Sequence, residues 1–391
     1  MAIDVSYYRS LFPSLEGRTY LNSCSLGMLP QRARERAAQY FDLWMDLGAA
    51  AWPQWLAQGE RLKALVAELI GAKPHEIALH PNASAAMYSM VSCLDFTQRP
   101  KVVYSDLNFP TTAYQWLSQR HRGAQVHLVH SPDGITVPPE LVIKAIDERT
   151  LILPISHVIY SSAYILDVAA ITQAAHRQGA LVLLDSYHGV GVVPTDVKAL
   201  DVDFLVGGML KWLCGGSGLA FLYVHERWHS QLHPTSLGWF AHRDPFAFDV
   251  ENLTLASDAR QYQGGTPSAV SFYIAEPGLE IIREIGVPAI RERAKYLTSL
   301  LIDLADQAGL EVRSPRNPEI RGSTVRLRVP DSQALTSQLL EEKIVVDARG
   351  DAVRVSAHFY NTEEEIEGFF ASKAIRQLDR PLTDAPPARH R

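Results

Sequence analysis

The chain has 391 residues, of which 47% are hydrophobic and 20% charged, and its formal net charge is −6. This is the composition of a globular protein long enough for two domains. It holds no basic run able to release counterions from a nucleic-acid backbone and no stretch near eighteen uninterrupted apolar residues, so a nucleic-acid or membrane partner is not expected.

The opening MAIDVSYYRSLFP lacks a basic segment followed by an apolar one, which predicts no export signal. Cys24, Cys93 and Cys214 lie far apart with no CxxC pair, so neither a disulfide framework nor a zinc site is encoded and the reducing cytoplasm is expected. In chain order, HPNASAAMYSMVSCL starts an apolar helix at Asn82, Ala83 and Ser84. Apolar runs then recur at 102–106, 125–130, 151–156, 180–185, 203–208 and 219–224, each read as a buried strand. Helix-period segments such as 139–147 and 168–178 separate most of them. That alternation is the pattern of an α/β fold with a mostly parallel central sheet flanked by helices. A long helical period over 271–308 and shorter strands at 323–329, 343–348 and 352–357 predict a smaller α+β domain. The expected division is an amino-terminal segment over 1–44, a large domain over 45–265, a small domain over 266–378 and a proline-rich flexible tail over 379–391.

The chemistry centres on Lys211, in DFLVGGMLKWLCGGSG just after an apolar run, with Asp185 closing another apolar run 26 positions earlier. A lysine amine titrates near roughly 10.4 in water and needs burial to act near neutrality. Gly207, Gly208, Gly215, Gly216 and Gly218 allow the backbone to approach a flat ring closely. Lys211 suits a Schiff base with a carbonyl cofactor, and Asp185 suits a partner for a protonated pyridine nitrogen, so the predicted cofactor is pyridoxal 5'-phosphate. The alternatives are a surface lysine in a glycine loop and an aspartate capping a helix. At the helix start, Asn82, Ala83 and Ser84 offer free N–H groups and a positive dipole end to a phosphate, a role compatible with Asn82 capping that helix.

The blocks LNSCSLGMLP, NFPT, SHVIYSSA, DSYHGVGVVP, GWFAHRDPFAF and GGTP, in that order over most of the chain, resemble the class V aminotransferase superfamily of pyridoxal-phosphate enzymes, and kynureninase-like members above all. The resemblance implies fold type I. It implies that Phe109 stacks on the cofactor ring, that His188 lies near the cofactor's phenolic oxygen, and that Trp239 and Thr266 help bind the phosphate. Thr266 would reach across from a second subunit, which implies a homodimer with shared active sites. Arg354, in a predicted strand, would grip the α-carboxylate of an amino-acid substrate, the alternative being an internal salt bridge with Asp347 or Asp351. Ser25 matches a stretch close to the substrate. His157 and Tyr160 either line the pocket or pack.

These residues together predict an α-amino acid substrate, an external aldimine and Cα deprotonation by Lys211, followed by Cβ cleavage as a carbon–sulfur lyase or kynureninase-like hydrolase. The alternatives are a class V aminotransferase or epimerase and a non-catalytic cofactor-binding module. Three departures argue against true kynureninase: Leu210 where the family has a tyrosine, Thr112 where an aspartate is expected, and RVSAHFYN in the carboxyl-terminal strand. With no cysteine beyond Cys214, persulfide-forming desulfurase chemistry is not expected either.

Overall fold

The computed structural model describes residues 3–378, so the tail expected over 379–391 lies outside the described residues. The chain opens with α1 (Val5–Ser10), β1 (Thr19–Tyr20), α2 (Gln31–Leu47) and α3 (Trp52–Ile70). An alternation follows: β2 (Ile77–His80), α4 (Ala83–Val91), β3 (Lys101–Ser105), α5 (Pro110–Leu117), β4 (Gln125–Val129) and α6 (Pro139–Lys144). It continues through β5 (Thr150–Ser156), α7 (Val168–Arg177), β6 (Leu181–Asp185), β7 (Phe204–Gly208) and β8 (Ala220–Val224). Beyond lie α8 (Ala269–Ile285), α9 (Val287–Gln307), β9 (Glu311–Val312), β10 (Thr324–Arg328), α10 (Ser332–Glu341) and β11 (Ile344–Val345). The chain then ends its described part with β12 (Asp347–Arg349), β13 (Ala352–Ser356), α11 (Glu363–Ala371) and α12 (Lys373–Arg376).

Strands β2 to β8 form one sheet in the order β2-β8-β7-β6-β5-β3-β4. Every pair in it is parallel except those of β8, which runs against β7 and β2. The α/β class with a mostly parallel sheet is thus borne out. Its inner strands read as unbroken apolar runs because both faces are covered. Val182, Leu184 and Leu205 enter one core cluster, while Leu181, Leu183, Phe204 and Val206 enter the other, as the two-residue period of a strand requires. Each such side chain, fully buried, contributes roughly 1.5–3 kcal/mol.

Three expectations need correction, and one strand went unread. The run at 125–130 is not a buried strand, since β4 lies at the sheet edge and is open along most of its length. Ile77–His80 is a strand, whose four residues are too few to show a period before the helix that follows. The helical period over 271–308 is two helices: Gly286 ends α8, and Pro288 sits in the first turn of α9, where its missing N–H costs nothing. The run at 343–348 splits into β11, which pairs with β1, and β12, which pairs with β13.

The second sheet has the order β12-β13-β10-β9. Its Val325, Val353 and Val355 pack with Leu297 and Leu301 of α9 and Ile366 of α11 in a separate core. The amino-terminal segment reaches this region, with Thr19 opposite Ile344 and Asn22 bridged to Ser356. From there, residues 22–27 run back to the carboxyl ends of β6 and β7: the N–H of Gly27 donates to the Leu210 carbonyl at 2.8 Å.

Candidate functional site

Asp185 is the last residue of β6 and lies beside Val206 of the parallel β7, whose chain continues to Lys211. Both therefore stand at the carboxyl ends of parallel strands, where open α/β sheets form their ligand crevice. Asp185 keeps some accessible surface yet is enclosed by protein, and that burial raises its pKa; the Tyr187 N–H at 3.1 Å and nearby Lys211 oppose the rise. A carboxylate with one backbone donor and accessible surface inside an enclosure faces space suited to a cationic partner.

Lys211 shows the same combination. Burial lowers its pKa to about 8, with Arg354 and Arg349 adding to the fall and Asp185 opposing it. Its Nζ is hydrogen-bonded to Nε2 of His188, and burial together with Lys211 holds that imidazole well below its usual pKa. A neutral imidazole accepts from the ammonium. The Nζ atom also stands 4.9 Å from the Tyr187 ring centre and 5.8 Å from that of Phe109, within cation–π range of both. Phe109 is 40% exposed and meets Tyr160 edge-on at 5.2 Å. An aromatic left that open beside a buried lysine has a face available to a flat ligand.

Close backbone contacts hold this arrangement. A Cβ on Gly208 would fall 2.1 Å from the Tyr187 ring, and one on Gly27 would fall 1.9 Å from the Lys211 carbonyl oxygen. Behind them His157 Nδ1 meets Ser186 Oγ at 2.9 Å, and burial takes that imidazole down to about 4, so it acts as a packed neutral group.

At the start of α4 the Asn82 side chain accepts from Ala85 N–H at 2.9 Å. The earlier N–H groups, of Ala83 and Ser84, are left for another acceptor. Ser84 Oγ is 3.4 Å from Thr111 Oγ1 at the start of α5, so two helix starts converge there. These features fit pyridoxal phosphate: an amine near neutrality, an enclosed carboxylate, an open aromatic face and free helix N–H groups.

Arg354 is 2% exposed and already paired. Its Nε donates to Asp347 Oδ2 at 2.7 Å, its Nη2 donates to the same oxygen, and its Nη1 donates to the Tyr160 carbonyl at 2.6 Å. The internal salt bridge weighed as an alternative is therefore present, with Asp347 and not Asp351. Asp351 instead holds Arg326 at 2.8 Å. Ser25 is half-buried in the segment that runs along the lysine loop.

Trp239 and Thr266 are brought together, Trp239 Nε1 donating to Thr266 Oγ1 at 3.3 Å. Their surroundings are Trp52, Phe240, Phe246 and Phe248, and among the described residues neither touches Lys211 or Asp185 within one chain. Thr266 lines a cavity of about 350 Å³ that also takes in Ala85 of α4, Ser89 and Gly218, while Lys211 and Asp185 are not among its walls. Sequence reasoning missed Tyr187 and Arg349, and named Asp347 only as one of two possible partners of Arg354. Tyr187 follows Asp185 by two residues in DSYH, and the Asp-x-Arg spacing of 347 and 349 is the signal of a shared strand face.

The family described as aminotransferase class-V matches residues 19–369. The uncharacterized aminotransferase YcbU of Bacillus subtilis is 33% identical over 92% of this chain and 94% of its own length. A kynureninase of Bacillus mycoides is 32% identical, covering 93% of this chain and 89% of its own. Among solved structures, the cystine C–S lyase C-DES in complex with cysteine persulfide superposes with a TM-score of 0.87 at 19% identity, over 94% of this chain and 100% of the other. Cysteine desulfurase from Thermococcus onnurineus NA1 gives 0.85 at 21% identity, over 95% and 97%. These superpositions extend the fold assignment across both sheets.

Proposed function

The chain belongs to the aminotransferase class-V family and is a pyridoxal-phosphate-dependent enzyme, and from that premise we propose that it removes the Cα proton of an α-amino acid and then cleaves a bond at Cβ. The cofactor, when bound, supplies a carbonyl for the substrate amine and a ring that accepts the charge left at Cα. In this reading Ala83 and Ser84 hold its phosphate through backbone N–H groups at the α4 start that Asn82 caps, and Phe109 covers one ring face. Asp185 keeps the pyridine nitrogen protonated. Arg354 grips the substrate carboxylate, with Ser25 beside the substrate.

Lys211 takes the Cα proton at Nζ. The observation that carries Cβ cleavage is the contact between Lys211 Nζ and His188 Nε2. Cleavage calls for a proton withdrawn at Cα and a proton delivered to the departing group; Lys211 Nζ takes the first and hands it on, while the neutral His188 Nε2 accepts from the ammonium in between. The kynureninase relatives support a hydrolytic variant. A transaminase reading rests on the relative named as an aminotransferase and on Lys211 alone as proton carrier.

We also propose a homodimer in which Thr266 and Trp239 of one copy complete the phosphate site of the other. The support is their shared patch with the exposed Phe246 and Phe248. The three free cysteines support a cytoplasmic location, and among the described residues no helix is long and apolar enough to cross a membrane.

The test is to incubate the holoenzyme with an amino-acid panel that includes cystine, cysteine conjugates and kynurenine, and to identify products by mass spectrometry. Pyruvate with ammonia, or anthranilate, is the expected outcome. Accumulation of pyridoxamine phosphate, or a racemised substrate with no bond cleaved, would overturn Cβ cleavage in favour of transamination or epimerisation.

A further inference from the structure

The face of the small sheet that carries Arg354 has more positive than negative charge. Asp347 of β12 lies directly opposite Arg354 of β13, and Arg326 of β10 is the next partner in the same row. Opposed residues of antiparallel strands point to one face, and Arg349, two positions from Asp347, points there too. Arg326 is engaged by Asp351. Asp347 is thus the carboxylate between two guanidinium groups, those of Arg354 and of Arg349, whose Nε lies 3.3 Å from Asp347 Oδ2.

The manner of this pairing matters. All three contacts fall on Oδ2, and among the described residues Oδ1 has no partner. A single oxygen shared by Nε and Nη2 forgoes the two parallel bonds of a fork-to-fork pair. A free carboxylate offering both oxygens to the same edge of Arg354 makes the better complex. Arg354, at 2% exposure, nonetheless requires an anion at all times. Arg349 is different: half its side chain is exposed, so it can accept a partner without a comparable desolvation cost. Both arginines also lower the pKa values of Lys211 and His188, after burial, which puts their charges on the lysine side of the small sheet.

We propose that Asp347 is the resident counter-anion of Arg354, displaced onto Arg349 when a substrate carboxylate arrives. The proposal rests on the reading of Arg354 as the carboxylate grip. Asp347 and Arg349 are then positioning residues that set which ligands the site accepts. A compound with an α-carboxylate exchanges places with Asp347, whereas an amine without one leaves the Asp347–Arg354 pair closed.

The experiment compares two carbonyl reagents on the holoenzyme, aminooxyacetate with a carboxylate and O-methylhydroxylamine without one, reading discharge of the protein-linked visible absorbance. The quantity is the ratio of their second-order rate constants. Asp347→Asn should raise that ratio by about tenfold, since a competing charge-assisted pair is removed. Arg349→Gln, at a half-exposed side chain, should lower it by several-fold because Asp347 loses its alternative partner. A ratio that Asp347→Asn leaves unchanged or lowers, or that Arg349→Gln leaves unchanged, overturns the exchange. If the wild-type ratio does not exceed that of free pyridoxal phosphate in solution, the reading of Arg354 as the carboxylate grip falls, and this proposal with it.

Discussion

Lys211 Nζ and His188 Nε2, from residues on the loops that follow two adjacent parallel strands, are hydrogen-bonded to each other inside the protein. Neither can keep a charge there cheaply, and Lys211 titrates at about 8 as a result of burial. Between pH 8 and about 10.4 the unfolded chain still holds the lysine proton that the folded chain has released, so this group makes stability rise with pH over that window. Cofactor-stripped Lys211→Met should therefore be more stable than stripped wild type at pH 7, by on the order of 3 kcal/mol. The advantage should vanish near pH 10.5. Urea unfolding at several pH values reads the difference, and a constant gap between the two proteins would contradict the depressed value.

Asp185→Asn tests the other end of the same crevice. The amide keeps the shape and loses the charge, so the cofactor should remain linked and its visible absorbance should persist. Turnover should fall by about ten- to a hundredfold, the loss of one charge-assisted contact of roughly 1.5–3 kcal/mol. Equal kcat for the two proteins on whichever amino acid the product screen identifies would remove Asp185 from the mechanism.

Asp185 and Lys211 were legible because each ends or follows an unbroken apolar run, and parallel strands buried on both faces leave few places for charge except their carboxyl ends. The start of α4 was legible through Asn82, whose side chain does cap it. Register was not. Whether Arg354 faces Asp347 or Asp351 depends on where the 343–348 run breaks and on the turn that pairs β12 with β13, and no residue type announces either. Tyr187 escaped notice because an aromatic beside a strand end reads as core, and only the bare backbone of Gly208 beneath its ring shows otherwise.

Gly27→Ala probes the strap that the amino-terminal segment lays over the lysine loop. The added methyl would meet the Lys211 carbonyl oxygen, a backbone atom that cannot swing aside, so the 2.8 Å hydrogen bond from Gly27 N–H to Leu210 must be disturbed. A cost of about 1–3 kcal/mol is expected. The holoenzyme should unfold at lower urea and turn over more slowly, both measurable on one preparation. Unchanged values for both would show that the strap does not support Lys211.

Away from the crevice, Asp203 is 1% exposed and accepts from Val182 N–H at 2.8 Å, Trp228 Nε1 at 2.7 Å, Arg227 and His176. Burial alone would raise its pKa, but these donors outweigh it and hold the carboxyl below its usual range. Its stabilisation is thus present above about pH 3.9 and is lost as pH falls through the depressed value. His176 works in the opposite sense: Asp203 raises its pKa, so its share is present below about pH 6.5 and is lost as pH rises through the raised value. Asp203→Ala should cost about 3–5 kcal/mol at pH 6. Equilibrium unfolding should show that gap narrowing toward acid, and a gap that does not change with pH would argue against the depressed carboxyl.

Trp239 and Thr266 share a hydrogen bond yet make no contact with Lys211 in the same chain, so a shared site requires both to serve the other copy. A Trp239→Ala/Thr266→Ala double variant would then spoil the site of its neighbour and spare its own, while Lys211→Ala spoils only its own. In a mixed dimer one site receives both defects and the other receives neither. Equal amounts of the two variants, unfolded and refolded together, give about half mixed dimers, each with one intact site, so activity should return to about a quarter of wild type. The separately refolded variants should stay near their low starting levels. No gain on mixing, with dimers confirmed by light scattering, would mean that each site is built from a single chain and that the Trp239–Thr266 patch serves only packing.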